Sequence, residues 1–99
     1  MEHEHDNKRA VSELFQTLCL LQDTGEMERF MRDLCTPQEL LSLADRWQIC
    51  KLLHAGTMSY CEISDQTKAS LATITRVARF LKDEPYQGYS LVLKRKKVL

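Results

Sequence analysis

Residues 59–82 read SYCEISDQTKASLATITRVARFLK and contain two short helical patterns separated by a turn. Ser59 and Glu62 form a capping box that opens the first helix, and Ser70 caps the second. Two short helices joined by a turn of three or four residues fit a helix-turn-helix. This motif predicts that the chain binds double-stranded DNA.

The second helix has the side chains that a recognition helix needs. Ile74 and Val77 are spaced to face inward against Ile63 of the first helix. The major groove presents donors, acceptors and thymine methyl groups, so small and hydroxyl-bearing side chains at the helix start suit it. The side chains that do not face inward are available to contact bases and phosphates. They are Ser70, Ala72, Thr73 and Thr75, followed by the cations Arg76, Arg79 and Lys82.

The turn between the two helices departs from the usual pattern at Lys68, where a glycine is common. Lys68 needs either a turn without a positive φ or a left-handed conformation that costs about 1 kcal/mol or more. A lysine at this position also has the length and charge to contact a DNA phosphate.

The rest of the chain is also predicted to be helical. Val11 begins an apolar stripe that is too wide for one helix face, so this helix must be enclosed by other parts of the protein. Gly25 is a plausible end for that helix, and a short helix follows it. A capping box with proline at residues 36–39 opens a long helix that ends at Gly56.

The last short helix runs from Gln87 to about Leu93 and precedes a basic tail at residues 94–97. We therefore expect an all-α protein with one domain over residues 1–99.

Charge is divided unevenly between the two halves of the 99-residue chain, although its net charge is zero. Residues 1–45 contain 4 basic and 10 acidic side chains, whereas residues 46–99 contain 10 basic and 4 acidic ones. A basic half favours a polyanionic partner. The polar N-terminus is not a signal peptide and no stretch is long enough to span a membrane, so we expect a cytoplasmic protein without a membrane partner.

Enzymatic and metal-binding functions find no support in the sequence. The chain has three glycines and no phosphate-binding loop, nucleophile–base pair or carboxylate cluster, so we expect no catalytic residue. The four cysteines form no CxxC or CxxH pattern, which predicts no metal site. We expect them to be buried free thiols.

The order of these elements resembles the Trp repressor family from about Leu34 to Leu93. The resemblance is carried by LLSLADR at residues 40–46, GTMS at residues 56–59 and ATITR at residues 72–76. More specifically, the chain resembles the Trp-repressor-related proteins of the YerC/YecD type. The resemblance implies six helices interleaved as a two-fold homodimer, in which neither subunit has a complete core alone.

The resemblance also implies which residues contact DNA. Those on the first helix are Tyr60, Cys61 and Ser64, and those on the turn and the second helix are Ser70, Leu71, Ala72, Thr73, Thr75 and Lys82. Two recognition helices in such a dimer read half-sites about 34 Å apart.

Three further residues match the positions that hold the corepressor tryptophan in this family: Thr36, Arg46 and Arg76. Two guanidinium groups at one pocket suit a carboxylate. However, Val77 replaces a glycine and Phe80 replaces a serine, which leaves less room for an indole. We therefore expect no tryptophan requirement and no cofactor.

The roles of the two arginines stay open at this stage. In one interpretation, Phe80 fills the pocket and makes DNA binding independent of a ligand. In a second interpretation, another small effector uses Arg46 and Arg76. A third interpretation is that these arginines form structural salt bridges with carboxylates nearby, namely Asp33, Asp45 or Glu62.

The sequence thus predicts a sequence-specific transcriptional regulator, expected to be a repressor, that binds DNA as a homodimer. The alternative is a helical protein-interaction module that uses its apolar first helix and binds no DNA.

Overall fold

The structure, a computed structural model, describes residues 2–96 and confirms the all-α prediction, with no strand in that range. The six helices are α1 (Glu2–Leu18), α2 (Thr24–Leu34), α3 (Pro37–Ala55), α4 (Tyr60–Thr67), α5 (Leu71–Lys82) and α6 (Gly88–Lys96). None of the described helices is long and apolar enough to cross a membrane. Lys97 of the predicted basic tail lies outside the described residues.

The chain divides into two compact units, Met1–Leu40 and Leu41–Leu99. The first unit contains α1, α2 and the start of α3. From residue 5 to residue 40 no side chain is buried, and large apolar side chains such as Val11, Phe15 and Leu20 are exposed. The first unit therefore builds no core of its own within the single chain.

The second unit contains a core to which α3, α4, α5 and α6 all contribute. The inward orientation predicted for Ile74 and Val77 against Ile63 is confirmed, because all three side chains are buried in one cluster. Each such burial is worth about 1.5–3 kcal/mol. The other buried members of this cluster are Ile49, Cys50, Leu81 and Leu93. This core fixes how α4 and α5 are presented to solvent.

Both predicted capping boxes are confirmed. The Glu39 carboxylate accepts the backbone N–H of Thr36 at 2.8 Å, and the Thr36 hydroxyl accepts the N–H of Glu39 at 3.1 Å. Ser59 and Glu62 exchange the same two hydrogen bonds, at 2.8 and 3.1 Å. Each pair satisfies backbone donors that the first turn of a helix leaves without partners.

The end predicted for the first helix at Gly25 is wrong. α1 ends at Leu18, and Gly25 is the second residue of α2. The reason is a helix start at Asp23, whose carboxylate accepts the backbone N–H of Glu26 at 2.8 Å. An N-cap aspartate followed by a glutamate at the third helical position is a start signal, which outweighs the ordinary preference of glycine for helix ends.

The expectation of four buried thiols holds for Cys50 alone. Cys19 and Cys61 are exposed and Cys35 is half-buried. Cys19 lies just past the end of α1, and Cys61 lies on the solvent side of the first turn of α4. Helical periodicity did not separate these positions from the core, because cysteine occurs in both environments.

Candidate nucleic-acid interface

One side of α5 is buried and the opposite side is cationic and exposed. Its buried side chains recur at the helical spacing of residues 74, 77, 78 and 81. The exposed side, here called the outer stripe, consists of Ala72, Thr75, Arg76, Arg79 and Lys82. α5 contains no acidic residue. The outer stripe therefore presents three cations and one hydroxyl to whatever lies against it.

The hydroxyl groups at the start of α5 are divided between capping and solvent. The Ser70 hydroxyl accepts the backbone N–H of Thr73 at 3.1 Å and lies 3.0 Å from the Thr73 hydroxyl. Leu71, Ala72 and Thr75 are exposed. Ser70 and Thr73 thus have a structural role in the cap, whereas Thr75 presents its hydroxyl on the outer stripe.

The predicted contact residues of α4 have different surroundings. Tyr60 and Cys61 are exposed in the first turn of the helix. Ser64 is half-buried, and its hydroxyl donates a hydrogen bond of 2.7 Å to the carbonyl of Ala69 in the turn. Tyr60 and Cys61 are therefore accessible to a partner, while Ser64 ties α4 to the turn.

The turn contains Lys68 in the left-handed conformation, with φ 65° and ψ 10°. Of the two alternatives that the sequence allowed, the structure has the strained one, at a cost of about 1–2 kcal/mol. Thr67 and Ser64 brace this conformation, because the Thr67 hydroxyl donates to the Ile63 carbonyl at 2.7 Å and the Lys68 N–H donates to the Ser64 carbonyl at 2.8 Å. The Lys68 side chain is exposed.

The capping box of α4 also alters the protonation of its acidic member. The backbone N–H and the hydroxyl of Ser59 hydrogen-bond the Glu62 carboxylate and hold its pKa below the usual value. Glu62 therefore stays ionised at neutral pH, at the helix end where the dipole favours a negative charge.

A cavity of about 500 Å³ lies in the second unit, next to α5. Arg46 and Arg76, both predicted effector residues, lie on its wall, together with Val77 and Phe80. The remaining wall residues are Trp47, Tyr86, Gln87, Gly88, Tyr89 and Val92. The predicted third effector residue, Thr36, lies in the first unit, where it caps α3.

Phe80 holds two arginines on its ring. The Cζ atom of Arg76 lies 4.4 Å from the ring centroid and that of Arg79 lies 5.1 Å from it. Arg79 also pairs with Glu84, with its Nε 3.4 Å from Oε1. Sequence reasoning had placed Arg79 among the possible DNA contacts but missed the stacking, although the spacing of Arg76 and Phe80, one helical turn apart, signals it.

Charge and burial compete at the inner wall of the cavity. Burial raises the pKa of the Tyr89 phenol, with a smaller contribution in the same direction from Cys50, while the nearby charges of Arg46 and Arg76 lower it. Burial also raises the pKa of the Cys50 thiol to about 11. Both groups are therefore neutral at physiological pH and act as hydrogen-bonding or apolar wall.

Structural salt bridges do not account for the two cavity arginines. Among residues 5–96, the arginines with a carboxylate closer than 4 Å are Arg32, which pairs with Glu28, and Arg79, which pairs with Glu84. Neither Arg46 nor Arg76 pairs with the carboxylates that the sequence had suggested. In the same part of the chain, no three His, Cys, Asp or Glu side chains lie close enough together to hold a metal ion.

Six helices, a buried core and a braced two-helix motif with an exposed cationic stripe define a small all-α protein of the helix-turn-helix class. Residues 9–97 match the family described as Trp repressor protein, and the chain belongs to that family.

Individual relatives agree with this assignment. The protein YerC of Bacillus subtilis (strain 168) is 38% identical over 89 residues, which cover 90% of this chain and 84% of YerC. The solved structure of a TrpR-like protein from Eubacterium eligens ATCC 27750 matches with a TM-score of 0.83 and 40% identity, over 92% of both chains. A solved structure from Staphylococcus aureus has the same TM-score at 33% identity and covers 100% of this chain and 97% of that one. The resemblance to the Trp repressor family and to YerC inferred from the sequence is thereby confirmed.

Proposed function

We propose that the protein is a sequence-specific transcriptional regulator that binds double-stranded DNA through the helix-turn-helix at residues 59–82. The observation that carries this proposal is the outer stripe of α5, which has three cations and a hydroxyl on the side opposite the core. Hydroxyl and small side chains suit base edges, and cations suit phosphates. Membership of the Trp repressor family supports repression as its mode of action.

The contacts that we assign to DNA follow from exposure and position. Thr75 and Ala72 face base edges, Lys68 and Lys82 bind phosphates, and Tyr60 approaches the backbone from α4. The other predicted contact residues are Cys61, Ser64, Ser70, Leu71 and Thr73, of which Ser64, Ser70 and Thr73 act mainly by shaping the motif.

The active form in this proposal is a homodimer. The exposed apolar side chains of α1 and α2 support it, since the described part of the first unit buries no side chain within one chain. Burial of such side chains against a second copy supplies the core that one copy lacks. Two recognition helices then bind half-sites separated by about 34 Å.

DNA binding in this proposal does not need tryptophan. Val77 is buried and Phe80 already stacks on Arg76 at the cavity wall. An indole therefore has less room there than a glycine and a serine at these two positions would leave. A different small effector with a carboxylate is the remaining alternative, and it would use Arg46 and Arg76.

The test is selection of the purified protein against a random duplex library at about 0.1 M salt, with and without L-tryptophan. We expect the same palindromic site to be enriched in both conditions. Enrichment only with L-tryptophan would contradict ligand independence.

Failure to enrich any site would favour the alternative of a protein-interaction module. The two functions also differ in their salt dependence. Neutralisation of several phosphates makes log K fall steeply with log[salt], whereas a protein-interaction module has no DNA affinity to titrate.

A DNA-binding regulator of this kind acts in the cytoplasm, where we propose that the protein resides.

A further inference from the structure

Phe80 lies on the flank of α5, between its buried side and the outer stripe. Arg76 is one helical turn before Phe80 and Arg79 is the residue immediately before it. Both guanidinium groups lie against the one ring, at 4.4 and 5.1 Å from its centroid. The ring is half-buried, so its position is fixed by packing, while both arginines are exposed.

Two cations on one ring repel each other, so a nearby anion stabilises this arrangement. Glu84 supplies one negative charge to Arg79, at 3.4 Å. Arg76 has no carboxylate partner within 4 Å among residues 5–96. Arg76 is therefore a cation that lies against the ring and whose charge no carboxylate of residues 5–96 neutralises.

We infer that Phe80 is a positioning residue that holds Arg76 and Arg79 ready to bind a phosphate of duplex DNA. This inference rests on the proposed DNA-binding function and adds a residue to it. Arginine loses much rotamer freedom when it is immobilised, and a ring that immobilises it beforehand reduces the cost paid on binding. The attraction of a guanidinium to an aromatic face supplies the restraint.

A DNA phosphate is favoured over a free anion because of the position of the two arginines. Both belong to the outer stripe, between Thr75 and Lys82 on the same side of α5. A duplex that contacts Thr75 and Lys82 must pass both guanidinium groups, since residues spaced by three and four share one helix face. A fork-shaped guanidinium suits the oxygens of a phosphate.

The experiment is a double-mutant cycle on DNA binding, measured by fluorescence anisotropy at several salt concentrations. Phe80→Leu keeps an apolar side chain but removes the ring, and we expect it to weaken binding about two- to five-fold with the salt slope unchanged. Arg76→Gln removes a phosphate contact, and we expect the slope to decrease by about 0.9. In the Arg76→Gln background, Phe80→Leu is expected to have a clearly smaller effect.

Two further measurements separate positioning from general packing. Phe80→Tyr retains the aromatic ring and is expected to bind DNA as the wild type does. The NMR signal of the Arg76 Nε–H is expected to show a ring-current shift in the wild type and Phe80→Tyr, and to lose it in Phe80→Leu.

Several outcomes would overturn the inference. An equal loss from Phe80→Leu in both backgrounds means that the ring acts only through packing. Saturation of the Arg76 signal by inorganic phosphate, with an unchanged DNA salt slope in Arg76→Gln, means that the pair binds a free anion. If the wild type binds no duplex at any salt concentration, the proposed function itself fails. If the wild type binds duplex DNA but the effects of Phe80→Leu and Arg76→Gln are additive, the positioning role of Phe80 is contradicted and the proposed function is not.

Discussion

Lys68 adopts a strained backbone conformation in the turn, which glycine would adopt without strain. Its φ of 65° is left-handed, and its ammonium group is exposed beside the proposed DNA surface. Strain that the surrounding hydrogen bonds maintain is common at functional positions. We therefore expect Lys68→Gly to have opposite effects on stability and on DNA binding.

For Lys68→Gly, we expect the free energy of unfolding to rise by up to about 1 kcal/mol, because the relief of strain exceeds the entropic cost of glycine. DNA affinity falls, and the salt slope decreases by about 0.9 because one phosphate contact is lost. Urea unfolding and salt-dependent anisotropy measure the two effects. Lys68→Asn is the matched control, since asparagine tolerates the left-handed region but has no charge. A more stable variant with an unchanged slope would assign the lysine no role in binding.

Thr75 and Lys82 lie on the same stripe and should differ in the kind of binding that they support. Thr75→Val removes the hydroxyl but keeps the shape of the side chain. We expect it to weaken binding to the selected site about five-fold, and binding to random duplex hardly at all. Lys82→Gln should weaken both equally, because phosphate contacts are independent of sequence. Equal losses on both duplexes in Thr75→Val would remove Thr75 from base readout.

At the scale of helices, the starts of α3 and α4 were predictable because their signals are local. Thr36 with Glu39, and Ser59 with Glu62, satisfy backbone donors within three residues of sequence. The end of α1 was not predicted, since Gly25 was interpreted without the competing cap at Asp23. Local signals therefore locate an element only when neighbouring signals are weighed against one another.

The cavity wall was only partly predictable. Arg46 and Arg76 came from a family resemblance, but Tyr86 and Tyr89 line the same cavity and were missed. Tyr89 reaches it because α6 packs against α5, as the buried Leu93 shows, and Tyr86 lies in the connection between these two helices. No spacing in the sequence encodes that packing, which depends on contacts between separate helices.

The capping box of α4 predicts a particular pH dependence of stability. The folded-state pKa of Glu62 is lowered by its hydrogen bonds with Ser59, so the ionised form is stabilised by folding. This contribution is present above the unfolded-state pKa and is lost as the pH falls through the folded-state pKa. We expect Glu62→Gln to lower the melting temperature at pH 7 and to differ less from the wild type near pH 3.

The control for that comparison is Asp65→Asn, which changes a carboxylate on the same helix outside the capping box. Thermal unfolding followed by circular dichroism across this pH range measures both variants. If the difference in melting temperature between Glu62→Gln and the wild type is the same at every pH, the stabilisation by these hydrogen bonds does not depend on the ionisation of Glu62.

At the scale of the whole molecule, charge and apolar surface are segregated along the chain. The acidic N-terminal half contains most of the large apolar side chains that the single chain leaves exposed, and the basic half contains the helix-turn-helix. The acidic charge repels DNA phosphates, whereas the exposed apolar side chains favour burial against a second copy. This distribution supports our proposal that α1 and α2 form the dimer and that α4 and α5 bind DNA.

This division of labour predicts the effect of a charge placed on α1. Phe15 is 59% exposed in the single chain, so Phe15→Asp costs the fold of one chain little. In a dimer that buries this ring, the aspartate places an unpaired charge in an apolar interface, which is costly. We expect the wild type to sediment as a dimer and Phe15→Asp as a monomer with weakened DNA binding, in which the core of the second unit stays folded. Gln16→Asp, an exposed neighbour on a different face of α1, should remain dimeric. A dimeric Phe15→Asp would show that α1 does not form the interface.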